Sequence, residues 1–162
     1  MSDRIALIRA GKIEQCGDVQ EIYHRPATTF AAEFVGQTNL LAATFVSRDG
    51  DTVRCRTEGG LEFSVNASGW PNGKSASTLS IRPEKIRVSA TPLAKTNTFS
   101  AVVQDIVFKG AVDRFLVVTD GGIRLSALTA SGGVRGEALR IGERIYCAVH
   151  AEDIAVVLPS LP

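Results

Sequence analysis

Long apolar runs, aromatic side chains and an excess of either charge are all scarce in this 162-residue chain. The aliphatic stretches reach only four or five residues, as over 154–158, whereas a membrane-spanning helix needs roughly 20. No transmembrane helix is therefore expected. The opening Met1-Ser2-Asp3-Arg4-Ile5 has no apolar core or small-residue cleavage site to mark it for secretion. A net charge of +1 gives no strong field for attracting nucleic acid or an anionic membrane. Aromatic residues make up 6% of the chain, a thin supply for a base-stacking groove. Cys16, Cys55 and Cys147 are odd in number and widely spaced. They read as reduced thiols of a cytosolic protein, each packed as a small hydrophobe, and not as a disulfide framework.

Catalytic motifs are missing as well. Gly69-Trp70-Pro71-Asn72-Gly73-Lys74-Ser75 superficially resembles a phosphate loop. Its glycines are one residue too close, Pro71 has no N–H to offer a phosphate, and a strand-like run follows where a helix is required. The expectation is a surface loop with Trp70 tucked onto the body of the protein. Cys147 and His150 are three apart in a strand-like run, so they point to opposite faces and cannot share a metal. His24 and His150 are the only histidines, and neither neighbours an obvious nucleophile. There is no Gly-x-Ser-x-Gly and no carboxylate pair whose spacing marks an acid and a base. Arg82, Lys85 and Arg87 form a local basic cluster, but acidic residues interleave with it, which favours a solvated face.

What remains is β-rich. The first 36 residues are mixed: a small hairpin over 5–8 and 13–16, a helix opened by the Asp18–Glu21 capping spacing and stopped by Pro26, and a second helix capped by Thr28 or Thr29. Phe30 and Phe34 lie one turn apart on that second helix, and Gly36 is its natural terminator. So short a segment cannot bury both helix faces alone, so it reads as the tail of something larger. From residue 39, strands are expected over 39–48, 52–56, 61–65, 78–82, 86–88, 99–108, 113–119, 123–127, 144–150 and 154–158, with a linker over 90–98. Short strands at this spacing predict a barrel or sandwich. Two motifs recur in the same order. Thr57-Glu58-Gly59-Gly60-Leu61 returns as Thr119-Asp120-Gly121-Gly122-Ile123, and Ile81-Arg82-Pro83-Glu84-Lys85-Ile86 returns as Val149-His150-Ala151-Glu152-Asp153-Ile154. Two related β-halves in one unit follow.

The run from Ser2 through Ile8, Gly11, Ile13 and Gly17 resembles the last segment of the nucleotide-binding domain in ATP-binding subunits of ABC importers. The stretch from Glu21-Ile22-Tyr23-His24-Arg25-Pro26 to Phe34-Val35-Gly36 is similar to that domain's closing helices. Asn39-Leu40-Leu41, Ile81-Arg82-Pro83-Glu84 and Phe108-Lys109-Gly110 resemble the transport-associated OB (TOBE) domain of importers for polyamines, iron(III) and sugars. The resemblance implies a mainly β, OB-like barrel over 38–162, preceded at 1–37 by a remnant of the ATPase domain. In the intact subunit it implies ATP and Mg, membrane permease partners, a homodimer, and a cytoplasmic place on the inner face of the cell membrane. It implies no nucleic acid. Walker A, Walker B and signature sequences are absent from these 162 residues, so no catalytic, cofactor or metal residue carries over. The candidate regulatory or interface residues are Arg82, Glu84, Lys85, Arg87, Phe30 and Phe34. The rival readings are a free-standing OB module binding a small ligand or nucleic acid, and a small-anion sensor using the 82–87 face.

Overall fold

Ala10 and Gly11 both take positive φ, 50° and 77°, which lets two residues turn the chain tightly enough to pair β1 (Ile5–Arg9) with β2 (Lys12–Gly17). The computed structural model describes residues 3–94, 96–130 and 139–159. Ser2 of the family-like opening and Lys95 of the expected linker lie outside them. Helix α1 (Val19–His24) starts where the Asp18 carboxylate accepts from the Glu21 N–H at 2.7 Å. Helix α2 (Thr29–Phe34) is capped by Thr28, whose hydroxyl accepts from the Ala31 N–H and donates to Glu14. This settles the choice between Thr28 and Thr29 in favour of Thr28. Val35 closes the helix and Gly36 follows it. Hairpin and helices share a small core of Leu7, Ile22 and Ala31, with Val35 against it.

The other described residues hold ten strands in two five-stranded antiparallel sheets. They are β3 (Asn39–Asp49), β4 (Thr52–Thr57), β5 (Glu62–Asn66), β6 (Ala76–Ile81), β7 (Arg87–Ser89), β8 (Thr98–Phe108), β9 (Val112–Thr119), β10 (Arg124–Ala130), β11 (Arg144–Ala148) and β12 (Ile154–Val157). The first sheet runs β12-β6-β3-β4-β5 and the second β7-β11-β8-β9-β10. These two orders are the same once β3 to β6 are matched with β8 to β11. The last strand of each half is the exception, because it crosses over and completes the other half's sheet. The registers agree residue by residue: Ala155 faces Ser80 and Val156 faces Leu79, as Arg87 faces Ala148 and Val88 faces Cys147. The two expected halves are therefore present but interlocked.

The repeated motifs explain the symmetry. In each half a Thr hydroxyl and backbone bracket a three-residue turn. Thr57 N–H donates to Leu61 O at 2.9 Å and Leu61 N–H to Thr57 Oγ1 at 3.2 Å, while the Thr119–Ile123 pair repeats these at 2.9 and 3.1 Å. Gly60 and Gly122 close the two turns at φ +82° and +83°, a conformation only glycine adopts cheaply. The turns meet back to back: a Cβ on Gly121 would lie 1.9 Å from Gly59 O. Each half also carries a bulge at the same place, between Phe45 and Ser47 in β3 and between Val103 and Asp105 in β8.

Two asparagines tie the sheets together. Asn39 Oδ1 accepts from Ser126 N–H at 2.8 Å and its Nδ2 donates to Ser126 O at 2.9 Å. Asn97 clamps Ser64 in the same way at 2.7 and 2.9 Å. Each amide presents the donor and acceptor of a backbone unit, so it extends the pairing of one half onto the last paired strand of the other.

Period-2 alternation then fills a single core. Val53 and Cys55 of β4, Phe63 and Val65 of β5, and Leu79 and Ile81 of β6 meet Phe115, Val117, Leu125, Ile145 and Cys147 from the second sheet. Trp70 joins them, its indole N–H donating to Lys74 O at 3.0 Å, so Trp70 is tucked onto the body of the protein as expected. Small boundary differences have local causes. β6 stops at Ile81, directly before Arg82 opens the 3₁₀ turn Pro83–Lys85, and β11 stops at Ala148, with one residue, Val149, before His150 opens the turn Ala151–Asp153. His150 therefore lies beyond β11.

The cysteines divide. Cys55 and Cys147 are buried as expected, but Cys16 is exposed on the hairpin, with an Arg4 guanidinium N–H donating to its sulfur at 3.8 Å. A two-stranded hairpin has no second layer to cover that face. Burial pushes the Cys55 thiol up to about 11 and the Cys147 thiol up to about 12. Only the thiolate attacks an alkylating reagent. One thiol per chain, Cys16, is therefore expected to react with a disulfide reagent at pH 8, and all three after guanidinium unfolding. Two or more equivalents from the folded chain would contradict this placement.

Candidate regulatory seam

Pro83 fixes the entry to the 3₁₀ turn Pro83–Lys85, and that turn sends the preceding side chain, Arg82, away from the barrel and into the helical segment. Arg82 is only 5% exposed. Its Nη1 donates to the carbonyls of Ala32, Gly36 and Gln37 at 2.8, 3.2 and 3.1 Å, and its Nη2 to Tyr23 O at 3.2 Å. Three of these four acceptors come from the end of α2 or just beyond it, where helix carbonyls lack partners and carry partial negative charge. The guanidinium also lies 4.4 Å from the centroid of the Tyr23 ring, a cation–π contact. The Tyr23 hydroxyl in turn donates to the Glu84 carboxylate. Arg82 and Glu84 thus grip α1 and α2 from one turn of the barrel.

The electrostatics follow from burial. Desolvation lowers the Arg82 pKa, with the Tyr23 and Glu84 charges opposing that shift. Tyr23 is raised above its ordinary phenol value, first by burial and then by its bond to Glu84. The folded chain holds the phenolic proton more tightly than the unfolded one. This contribution is therefore complete below the ordinary value, about 10, and is lost as pH rises past it. Backbone bonds support the seam from the far end of the chain: Thr29 N–H donates to Leu158 O and Leu158 N–H to Ala27 O, both at 3.0 Å. Thr38 and Ser80 hydroxyls share a bond of 2.7 Å beneath it.

The remaining candidates lie elsewhere. Lys85 turns away to pair with Asp153 at 3.7 Å, and Arg87 is exposed with no side-chain partner among the described residues. The rings of Phe30 and Phe34 are 5.6 Å apart, as their spacing predicts, with Arg9 over Phe30 at 5.5 Å and Phe34 64% exposed. Among the described residues no group of His, Cys, Asp and Glu is placed to hold a metal, and no helix is long and apolar enough to cross a membrane.

With this geometry in place, residues 79–157 match the TOBE domain. This stretch carries a TOBE domain. It is 36% identical over 151 residues to the spermidine/putrescine import ATP-binding protein PotA of Roseobacter denitrificans, covering 93% of this chain and 41% of that protein. It is 34% identical to the protein of the same name from Rubrobacter xylanophilus, again covering 41% of it. The chain thus spans about two fifths of the length of these relatives. Among solved structures, the molybdate-bound form of the cytoplasmic molybdate-binding protein ModG superposes with a TM-score of 0.66 over 75% of this chain and 96% of that one. At 13% identity this likeness shows the fold alone, an OB-type β architecture.

The TOBE match begins in β6 and includes Arg82, but the groups Arg82 grips precede it. Tyr23 and the clamping asparagines carried no chemical motif that marked them in the sequence. One signal was present: Thr38-Asn39 recurs as Thr96-Asn97, at the start of the first strand of each half.

Arg82→Ala leaves four carbonyls without their donor. The expected cost is about 3 kcal/mol in urea unfolding, in line with losing a buried charge-assisted network. Arg82→Lys recovers little, because an ammonium cannot span four acceptors in one plane. Amide exchange localises the effect: residues 19–37 lose protection first while Val117 and Leu125 keep theirs. Equal loosening of both regions would show that Arg82 supports the barrel and not the seam.

Proposed function

We propose that this chain is the C-terminal regulatory and dimerisation portion of the ATP-binding subunit of an ABC importer for polyamines or a related solute. Residues 1–37 close the ATPase domain and residues 38–162 form the regulatory barrel. The intact subunit binds ATP and Mg, contacts membrane permease subunits and lies on the cytoplasmic face of the membrane. The relatives, spermidine/putrescine import ATP-binding proteins, support the transport system, and the Arg82 seam supports the regulatory part. A buried guanidinium with four backbone acceptors does not slide. A displacement of α1 and α2 during the ATP cycle therefore moves the barrel with them, and a contact between two barrels biases the open and closed states of the ATPase pair. A free-standing ligand-binding module has no use for so heavily fastened a helical segment.

The internal symmetry supports a place for that contact. On the outer face of the first sheet stand Thr44, Arg54 and Arg56, with Glu62 bonded to both arginines. The matching positions of the second sheet are Val102, Leu116 and Val118, all half-buried. Arg144, paired with Asp120, borders this aliphatic face, and a rim bearing both signs suits a two-fold copy of itself.

Replacing the matched stretch of the Roseobacter denitrificans protein with this chain tests the system. The chimera is expected to support ATP-dependent spermidine uptake, and Arg82→Ala within it to lower uptake by at least about fivefold more than ATP hydrolysis. A chimera that folds and hydrolyses ATP but takes up nothing, or is indifferent to Arg82→Ala, would overturn the reading. Light scattering tests the contact. The chain is expected to be dimeric well below about 100 μM, the range for a standard-size interface, and Leu116→Arg with Val118→Arg to be monomeric. A monomeric parent chain refutes dimerisation, and a dimeric double variant refutes this face.

A further inference from the structure

The two halves fill one matched space differently. It lies at the end of β3 away from Asn39 and the seam, where β3 and β8 bulge at the same place. Beyond the bulges the registers pair Arg48 with Val53 in the first half and Ile106 with Phe115 in the second. Ile106 and Phe115 both pack on the core, and Val103, just before the bulge, is 1% exposed. The first half has the smaller Val53 in place of Phe115 and a charged Arg48 in place of Ile106. Phe45, which stands where Val103 does, is 40% exposed. The missing apolar volume leaves a cleft of about 390 Å³ among Phe45, Val53, Trp70 and Pro71, a size in the lower range of small-molecule sites.

Its walls are aromatic and its rim is cationic. The Phe45 and Trp70 rings lie 6.1 Å apart and are inclined at 54°. They form a corner in which a third ring can stack on one and meet the other edge-on. Backbone bonds hold the corner ready: the indole N–H of Trp70 donates to Lys74 O, and Phe45 N–H donates to Ser75 O at 2.8 Å. Arg48 commits only its Nε, to Gly50 O at 3.2 Å. Its terminal nitrogens and the Lys74 ammonium have no partner among the described residues, and both side chains line the cleft. None of the described residues lining it is acidic. A similar turn follows Leu139 in the second half, with Gly142 at positive φ as Gly73 is in the first. The residue closing that turn is Glu143, where the first half has Lys74. The cationic rim thus belongs to the first half alone.

We propose that this cleft binds a small aromatic carboxylate. The ring enters the corner between Phe45 and Trp70 over a floor of Val53. The carboxylate accepts from the Arg48 guanidinium and the Lys74 ammonium. Ring and charge are selected together: a bare carboxylate has nothing to fill the corner, and a neutral arene gains nothing from the two cations.

Trp70 is the only tryptophan, so its indole N–H gives one side-chain NMR resonance that reports on the cleft. The test titrates the 162-residue chain with 3-phenylpropionate, with 3-phenylpropanol as the uncharged analogue and acetate as the bare carboxylate. 3-Phenylpropionate is expected to shift the indole resonance and the Gly73 and Lys74 amides saturably, with half-saturation below about 5 mM. The alcohol is expected to bind at least about threefold more weakly, and acetate to give no saturable shift. Val53→Phe restores the ring that the other half carries and is expected to weaken binding at least about tenfold. Arg48→Gln with Lys74→Gln gives a second reading if Val53→Phe fails to fold, as its own spectrum reports. That double variant is expected to bind the acid no better than the alcohol. The site is overturned by no saturation below that concentration, by shifts mapping away from the cleft, or by acetate saturating the same resonances. An alcohol that binds as tightly as the acid, or unchanged binding in either folded variant, overturns it equally.

Discussion

The exchange of β7 and β12 between sheets is the constraint on which the rest of the molecule depends. Neither five-stranded sheet can be completed by its own half of the chain. Strand β12 supplies the edge beside β6, and β7 supplies the edge beside β11. The crossover forces the 3₁₀ turns preceding these strands into proximity, which places Lys85 against its own symmetry counterpart, Asp153. The same closure brings the two glycine turns into contact and lets Asn39 and Asn97 reach across to Ser126 and Ser64. Packing, turn chemistry and polar pairing all follow the one two-fold relation, an agreement across levels that marks a well-specified fold.

The seam breaks that relation. Equivalent turns present Arg82 on one side and His150 on the other. Only the arginine side receives the helices, and it binds them chiefly through main-chain oxygens. Such a contact depends on where a helix ends more than on which side chains it carries. A relative with different residues along α2 could be held equally well, provided the carbonyls arrive at the same place. The buried charge is tolerable because it meets four acceptors and an aromatic face together, which offsets much of its desolvation.

Local chemistry was legible from the residues, while partnership was not. Gly-Gly after Thr at 57 and 119 announced two identical turns, and the Asp18 cap and a cap at Thr28 or Thr29 placed both helices within a residue or so of their observed limits. Nothing in the strand patterns says which strand a segment will join, because Ile154-Ala155-Val156-Val157 would satisfy either sheet. The crossover therefore had no local signature. Arg82 was visible as one of three neighbouring cations, but its partners are backbone carbonyls, which every residue carries and no pattern distinguishes. Cys16 went wrong for a related reason: burial depends on a covering layer, and a hairpin motif does not reveal whether one exists.

The interlocked strands also bear on the order in which the chain can become structured. A chain emerging from the ribosome forms β3 to β6 early, yet the bare edge of β6 stays open until residues 154–157 arrive at the far end. Throughout that interval it offers unpaired N–H and C=O groups to any other strand nearby. Pairings this distant in sequence also fold slowly, because the loop must close before the contact rewards it. The architecture thus trades early completion of one half for a fold that locks only when nearly all of it is present. A nascent chain truncated before β12 would carry two related half-structures, one of them with an open edge suited to recruiting a strand from another molecule.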